Sequence, residues 1–229
     1  LYADPYGHVL ILVQWLPGDG YDAGRLLAID AQPDNSVARK RYWEGNFLFA
    51  QTASAGPGFK AFRPLAPSGS GWRLLSNAEL DGRSGRPAFS LEQASLDPDA
   101  FHARVDGLIN PRGLDPLAAY ESVLEALMEQ LETRVTSVDT GERYMREHPG
   151  TVVPMPSGPA IFETVGPWED YSTPSRDMRL LIALKVVEGL PERIRRHPEL
   201  YVLTGESAAS AADRVARLHE QRLDERAFG

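Results

Sequence analysis

Along the first third of the chain, apolar residues alternate with others at the period of an extended strand. His8-Val9-Leu10-Ile11-Leu12-Val13-Gln14-Trp15 is one such run. Arg25-Leu26-Leu27-Ala28-Ile29-Asp30-Ala31 is another, and the turn-rich interval from Pro17 to Gly24 separates them. The pattern predicts two neighbouring antiparallel strands, the second ending before Pro33. A third strand is expected at Asn46 to Ala50, after the aromatic and basic segment Arg39-Lys40-Arg41-Tyr42-Trp43. Residues 1–63 therefore read as a β unit.

Residues 64–113 are rich in Gly, Pro, Ser and Asp but also hold Trp72, Leu74 and Phe89. They read as an ordered, irregular connection wrapping the core. Trp72 to Leu75 fits a short strand or a loop anchor, and Asp99 to Val105 fits a short helix.

Residues 114–229 change period. Leu117, Tyr120, Leu124, Leu127 and Leu131 share one face of a helix expected over 115–136. Asp139 and Glu142 have capping-box spacing, predicting a second helix that stops at His148-Pro149-Gly150. Ser175 is placed to cap an apolar helix that Gly189 would end, and Pro191 to open another. Ala209 to Arg226 predicts a last surface helix. The fold class that follows is α+β, a small N-terminal antiparallel sheet with a mostly helical C-terminal half packed on it.

Composition narrows the function. The 229 residues carry a net charge of −8, with 32 acidic and 24 basic side chains. That balance argues against a nucleic-acid partner. No run reaches the roughly 20 apolar residues of a membrane-spanning helix. The absence of cysteine removes disulfides, thiolate metal sites and a cysteine nucleophile from these residues. No HExxH, CxxC or EF-hand spacing occurs, so neither a metal nor a cofactor is expected.

The residues that carry chemistry are His8 and Asp30. Adjacent strands can present an imidazole beside a carboxylate, a base with its orienting partner. A Gly-His opening an apolar strand, followed by a strand ending in Ile29-Asp30-Ala31, resembles the His and acid strands of papain-like folds over residues 6–49. Transglutaminase-like enzymes and NlpC-type cell-wall peptidases share that arrangement. The resemblance implies a hydrolase or acyltransferase acting on amide or peptide bonds, with His8 as base and Asp30 as orienter. Gln32 or Asp34 would take the orienting place if the strand ended earlier. It also implies a peptide or cell-wall-like substrate in a periplasmic or secreted setting.

In those families a cysteine on a preceding helix attacks the amide. Here it would come from an upstream segment or a cleaved partner chain, which fits a processed chain starting just before a strand. An apolar groove beside His8, lined by Leu10, Leu12 and Trp43, is the expected seat of that segment. Gln32, Trp43, Trp168 and Tyr171 are the candidate substrate-binding residues, the aromatics serving as stacking platforms. The plainer reading of Arg39 to Trp43 is a half-exposed strand with an aromatic anchor. Trp168 and Tyr171 have an equally plain reading as anchors of their own loop. The rival function is a non-catalytic binding or structural protein with the helical half as its docking surface.

Overall fold

The computed structural model describes residues 1–5, 7–19, 23–31, 37–51, 56–81, 91–154, 157 and 174–227. The N-terminal part forms a five-stranded antiparallel sheet. Its strands are β1 (Tyr2–Ala3), β2 (Val9–Leu16), β3 (Arg25–Ala31), β4 (Val37–Arg41) and β5 (Gly58–Phe59), in the order β4-β3-β2-β1-β5. The third long strand is therefore the basic segment ending at Arg41, not Asn46 to Ala50. Those residues form a turn and coil that buries Phe47 beneath Tyr2. The Tyr2 hydroxyl lies 2.9 Å from the carbonyl of Phe47 and 2.6 Å from that of Leu48, so the chain leaves the sheet to cover its end.

Alternation sends Leu10, Ala28 and Asp30 to the inner face and leaves Val9 and Ile11 about half exposed on the other. A bulge at Val13 breaks that period. Leu12 pairs with Ala28, but Gln14 already pairs with Leu27, so Trp15 stands opposite Leu26 while staying about half exposed. Its indole Nε1 donates to the Ile109 carbonyl at 3.0 Å, capping an orphan acceptor at a helix end.

The segment expected to be irregular supplies that helix. A two-stranded hairpin, β6 (Leu65–Ser68) and β7 (Gly71–Leu74), is followed by a short helix α1 (Asn77–Asp81) and by α2 (Pro98–Ile109). Asp97 caps α2 by accepting from the Ala100 amide at 2.8 Å, with Pro98 in the first turn. Phe101, Val105 and Ile109 then close the sheet's core over Tyr2, Leu10, Ala28 and Phe47.

Among the described residues, three α-helices build the other half: α3 (Pro116–Glu147), α4 (Pro174–Arg196) and α5 (Ala208–Ala227). Each of the first two joins what the sequence divides. No breaker separates Leu131 from Asp139, and the Thr133 and Thr136 hydroxyls donate back to the carbonyls of Glu129 and Glu132. The helix therefore runs through Asp139, which caps nothing. In α4, Gly189 and Pro191 lie inside the helix. Pro191 forfeits one backbone bond, yet Val187, Leu190 and Ile194 stay buried on a single face. Packing outweighs the punctuation. Against that face stand Ala119, Tyr120, Ala211, Ala212 and Val215, whose small residues allow close helix approach. Leu127 packs here and against Trp43, whereas Leu131 is 39% exposed rather than buried.

Trp43 joins the two halves. It leaves the sheet after β4 and inserts among Ala126 of α3 and Ala183 of α4, only 8% exposed. A Cβ on Gly45 would lie 1.8 Å from the indole Cη2, so only glycine fits beneath the ring. The expected groove beside His8 is accordingly not built from these residues: Leu10 is buried under α2 and Trp43 between the helices.

Candidate functional site

His8 stands at the entrance to β2. The backbone is clamped there by Asp4, whose side chain accepts from the His8 amide at 2.9 Å and whose own amide donates to the His8 carbonyl at 2.9 Å. Gly7 makes this turn possible with a φ of 91°, which other residues rarely adopt. The strand period then puts the imidazole on the same face as Leu10 and Leu12.

Asp30 comes to that face from β3, one step beyond the Ile11–Ile29 pair, so the two side chains are diagonal cross-strand neighbours. His8 Nε2 lies 2.7 Å from Asp30 Oδ1. The carboxylate is 3% exposed and the imidazole 39%, a buried acid under a base that reaches solvent. Among the described residues, Oδ1, screened from water, meets no donor at hydrogen-bonding angles. The Asp30 carboxylate raises the proton affinity of His8 above its ordinary value, burial opposes the rise, and Asp4 adds to it.

Two further cations surround the acid. Lys40 of β4 pairs across from Ala28, which directs it to the inner face, and its Nζ lies 3.9 Å from Asp30 Oδ2. Burial lowers the Lys40 pKa, as do the fields of Arg179 and Arg176, against the pull of Asp30. Arg179 of α4 donates to the Gly45 carbonyl, and its charge lowers the proton affinity of His8. The β3–β4 register makes Lys40 findable in the sequence once β4 is placed correctly. Arg179 leaves no such trace, being brought in by helix packing alone.

Of the other candidates, only Trp43 lies among the described residues, and it stands apart from this pair. Trp43 is buried between α3 and α4 and lines a separate cavity. Gln32, Asp34, Trp168 and Tyr171 lie outside the described residues.

A second polar cluster sits where α2, α4 and the sheet meet. Arg193 donates to Glu44 at 2.5 Å and to Asp106 at 2.6 Å. Beside it, the Tyr42 hydroxyl lies 2.8 Å from His102 Nδ1. Burial pushes the His102 pKa down to about 4, keeping the ring neutral, and pushes the Tyr42 hydroxyl well up. A neutral imidazole beside a protonated phenol is a core hydrogen bond, unsuited to proton transfer near neutrality.

Among the described residues no group of His, Asp or Glu side chains is arranged to hold a metal ion. No helix there is long and apolar enough to cross a membrane. Chemically, His8 and Asp30 supply a base and its counter-charge, with Nδ1 the ring nitrogen left over from the contact. No protein-family model, curated protein or solved structure matches the chain.

Proposed function

We propose that this sheet carries the base and orienting acid of a papain-like hydrolase or acyltransferase, acting on amide or peptide bonds with a nucleophile supplied from outside the chain. One observation carries the reading: the 2.7 Å contact between half-exposed His8 and buried Asp30 on adjacent strands. In the reaction, a thiol on the supplied segment gives its proton to His8 Nδ1 while its sulfur attacks the substrate carbonyl carbon. Asp30 holds the opposite ring nitrogen and stabilises the imidazolium. The imidazolium then protonates the leaving amine, the C–N bond breaks, and water or an acceptor amine releases the acyl group. The raised proton affinity of His8 suits this role, because it favours the thiolate–imidazolium pair over the neutral one. Peptides or cell-wall-like polymers are the proposed substrates, with Gln32, Trp168 and Tyr171 as their contacts.

The test is the alkylation rate of the supplied thiol by iodoacetamide as a function of pH, in protein extended upstream of Leu1, alongside hydrolysis of a peptide substrate. His8→Ala is expected to shift the thiol's titration upward and abolish hydrolysis while the melting temperature stays nearly unchanged. An unaltered alkylation profile and unaltered hydrolysis overturn the proposal.

The second reading is a non-catalytic binding or structural protein. It is favoured by Lys40 and Arg179, which together with His8 use Asp30 as a shared counter-ion. On that reading Asp30→Asn lowers stability without changing any hydrolytic rate.

A further inference from the structure

Beside His8 the fold gathers two cations that the His8–Asp30 contact leaves without a close partner. Asp30 approaches His8 to 2.7 Å through Oδ1, but its Oδ2 stays 3.9 Å from the Lys40 ammonium. That distance exceeds hydrogen-bonding length, and the Lys40 ammonium makes no hydrogen bond among the described residues. The side chain is 32% exposed and its nitrogen is not screened from water, so three N–H donors open to solvent next to the half-exposed imidazole. Arg179 gives one nitrogen to the Gly45 carbonyl and makes no other hydrogen bond among the described residues. The rest of its guanidinium is likewise not screened from water.

The charges narrow what can sit there. Arg179 acts against protonation of both Lys40 and His8, so like charges are held together around one buried acid. Arg176 adds to the positive field at Lys40, while Asp30 and Asp4 offset part of the charge on Arg179. A neutral ligand leaves that repulsion as it is. A dianion relieves it but sets a second negative charge against the Asp30 carboxylate directly beneath. A single carboxylate supplies two acceptor oxygens to the waiting donors at the cost of one charge. We propose that Lys40 and Arg179 form a carboxylate-binding subsite beside His8, which takes a free carboxylate of the substrate next to the bond that His8 serves. Calling the ligand a substrate rests on the hydrolase reading; the subsite itself does not.

Three probes separate the possibilities: N-acetylglycine, its neutral analogue N-acetylglycinamide, and inorganic phosphate. The chain holds only three lysines, Lys40, Lys60 and Lys185, so ¹³Cε-lysine labelling gives three resonances, with Lys40 assigned through Lys40→Gln. At low ionic strength N-acetylglycine is expected to shift the Lys40 resonance saturably at roughly millimolar concentration and to leave Lys60 and Lys185 unmoved. N-acetylglycinamide and phosphate are each expected to bind at least tenfold more weakly. Saturation with N-acetylglycine is expected to raise the His8 pKa, read from its ring ¹³C titration, and a folded Arg179→Gln variant to bind at least threefold more weakly. The proposal is overturned by a Lys40 shift that does not saturate, or by equal binding of N-acetylglycinamide or phosphate. An unmoved His8 titration, or unchanged affinity in the folded Arg179→Gln protein, overturns it as well. Hydrolysis is not read here, so the two readings fail separately. Saturable binding in a protein that never hydrolyses amides upholds the subsite and removes only the reaction.

Discussion

Arg193 reaches Asp106 at 2.6 Å and in doing so fixes helix α4 to helix α2, while its other nitrogen holds Glu44 of the sheet unit at 2.5 Å. Three elements distant in sequence are thus tied through one guanidinium that is only 11% exposed. Its planar fork matches two carboxylates at once, which an ammonium on a flexible stem does not. Removing it leaves two partly buried acids facing each other without a cation. Arg193→Ala is therefore expected to lower unfolding stability by about 3–5 kcal/mol, and Arg193→Lys to recover only part of the loss. Urea unfolding monitored by circular dichroism measures both. Equal midpoints for wild type and Arg193→Ala would show that the fork contributes nothing.

His102 makes stability depend on pH. Its folded pKa, near 4, lies below the ordinary value of 6.5. As pH falls through that window, the unfolded chain takes up a proton that the folded ring refuses, so stability is present above 6.5 and lost towards 4. The full swing is about 3 kcal/mol. Asp106 has the opposite sign, because burial raises its pKa and acidification therefore favours the folded state. His8, with a raised pKa, contributes below its unfolded value and loses that contribution as pH rises through its folded one. The difference between wild type and His102→Gln isolates the His102 term. That difference should change by roughly 3 kcal/mol between pH 7 and pH 4 and vary little above pH 7. Parallel stability curves would mean that the ring is not held neutral.

Helix α3 permits an internal comparison. Leu127 packs against both the helical core and the Trp43 cluster, whereas Leu131, one turn on, is 39% exposed. Leu127→Ala should cost about 2–3 kcal/mol and Leu131→Ala less than about 1 kcal/mol. Denaturant midpoints of the two variants decide it, and equal losses would mean that the apolar face continues past Leu127.

Much of the architecture could be read from local pattern. The strand Arg25–Ala31, the final helix and the placement of His8 beside Asp30 each follow from a short periodic run. What the pattern missed depends on distant packing. Gly189, Pro191 and the Asp139–Glu142 spacing read as helix ends, and the burial of Val187, Leu190 and Ile194 and the uninterrupted run of α3 override them. The bulge at Val13 breaks the strand period and pairs Trp15 with Leu26, and its indole donates to the Ile109 carbonyl of α2, which no local pattern shows. Trp43 read equally well as a ligand platform or a core anchor. Only the positions of Ala126 and Ala183, far along the chain, make it an anchor.

The seat of Trp43 also bears on whether this chain can be taken apart. The indole belongs to the N-terminal sheet by sequence, but its neighbours are helical alanines and its floor is a glycine that admits no side chain. A fragment ending before α3 would expose that ring and strip Arg41 of both its glutamates. A fragment starting at α3 would keep an uncovered slot between two helices and leave Arg193 without Glu44 or Asp106. Neither piece is self-sufficient. The sheet and the helices are interlocked halves of a single cooperative unit, and loss of either should carry the other with it.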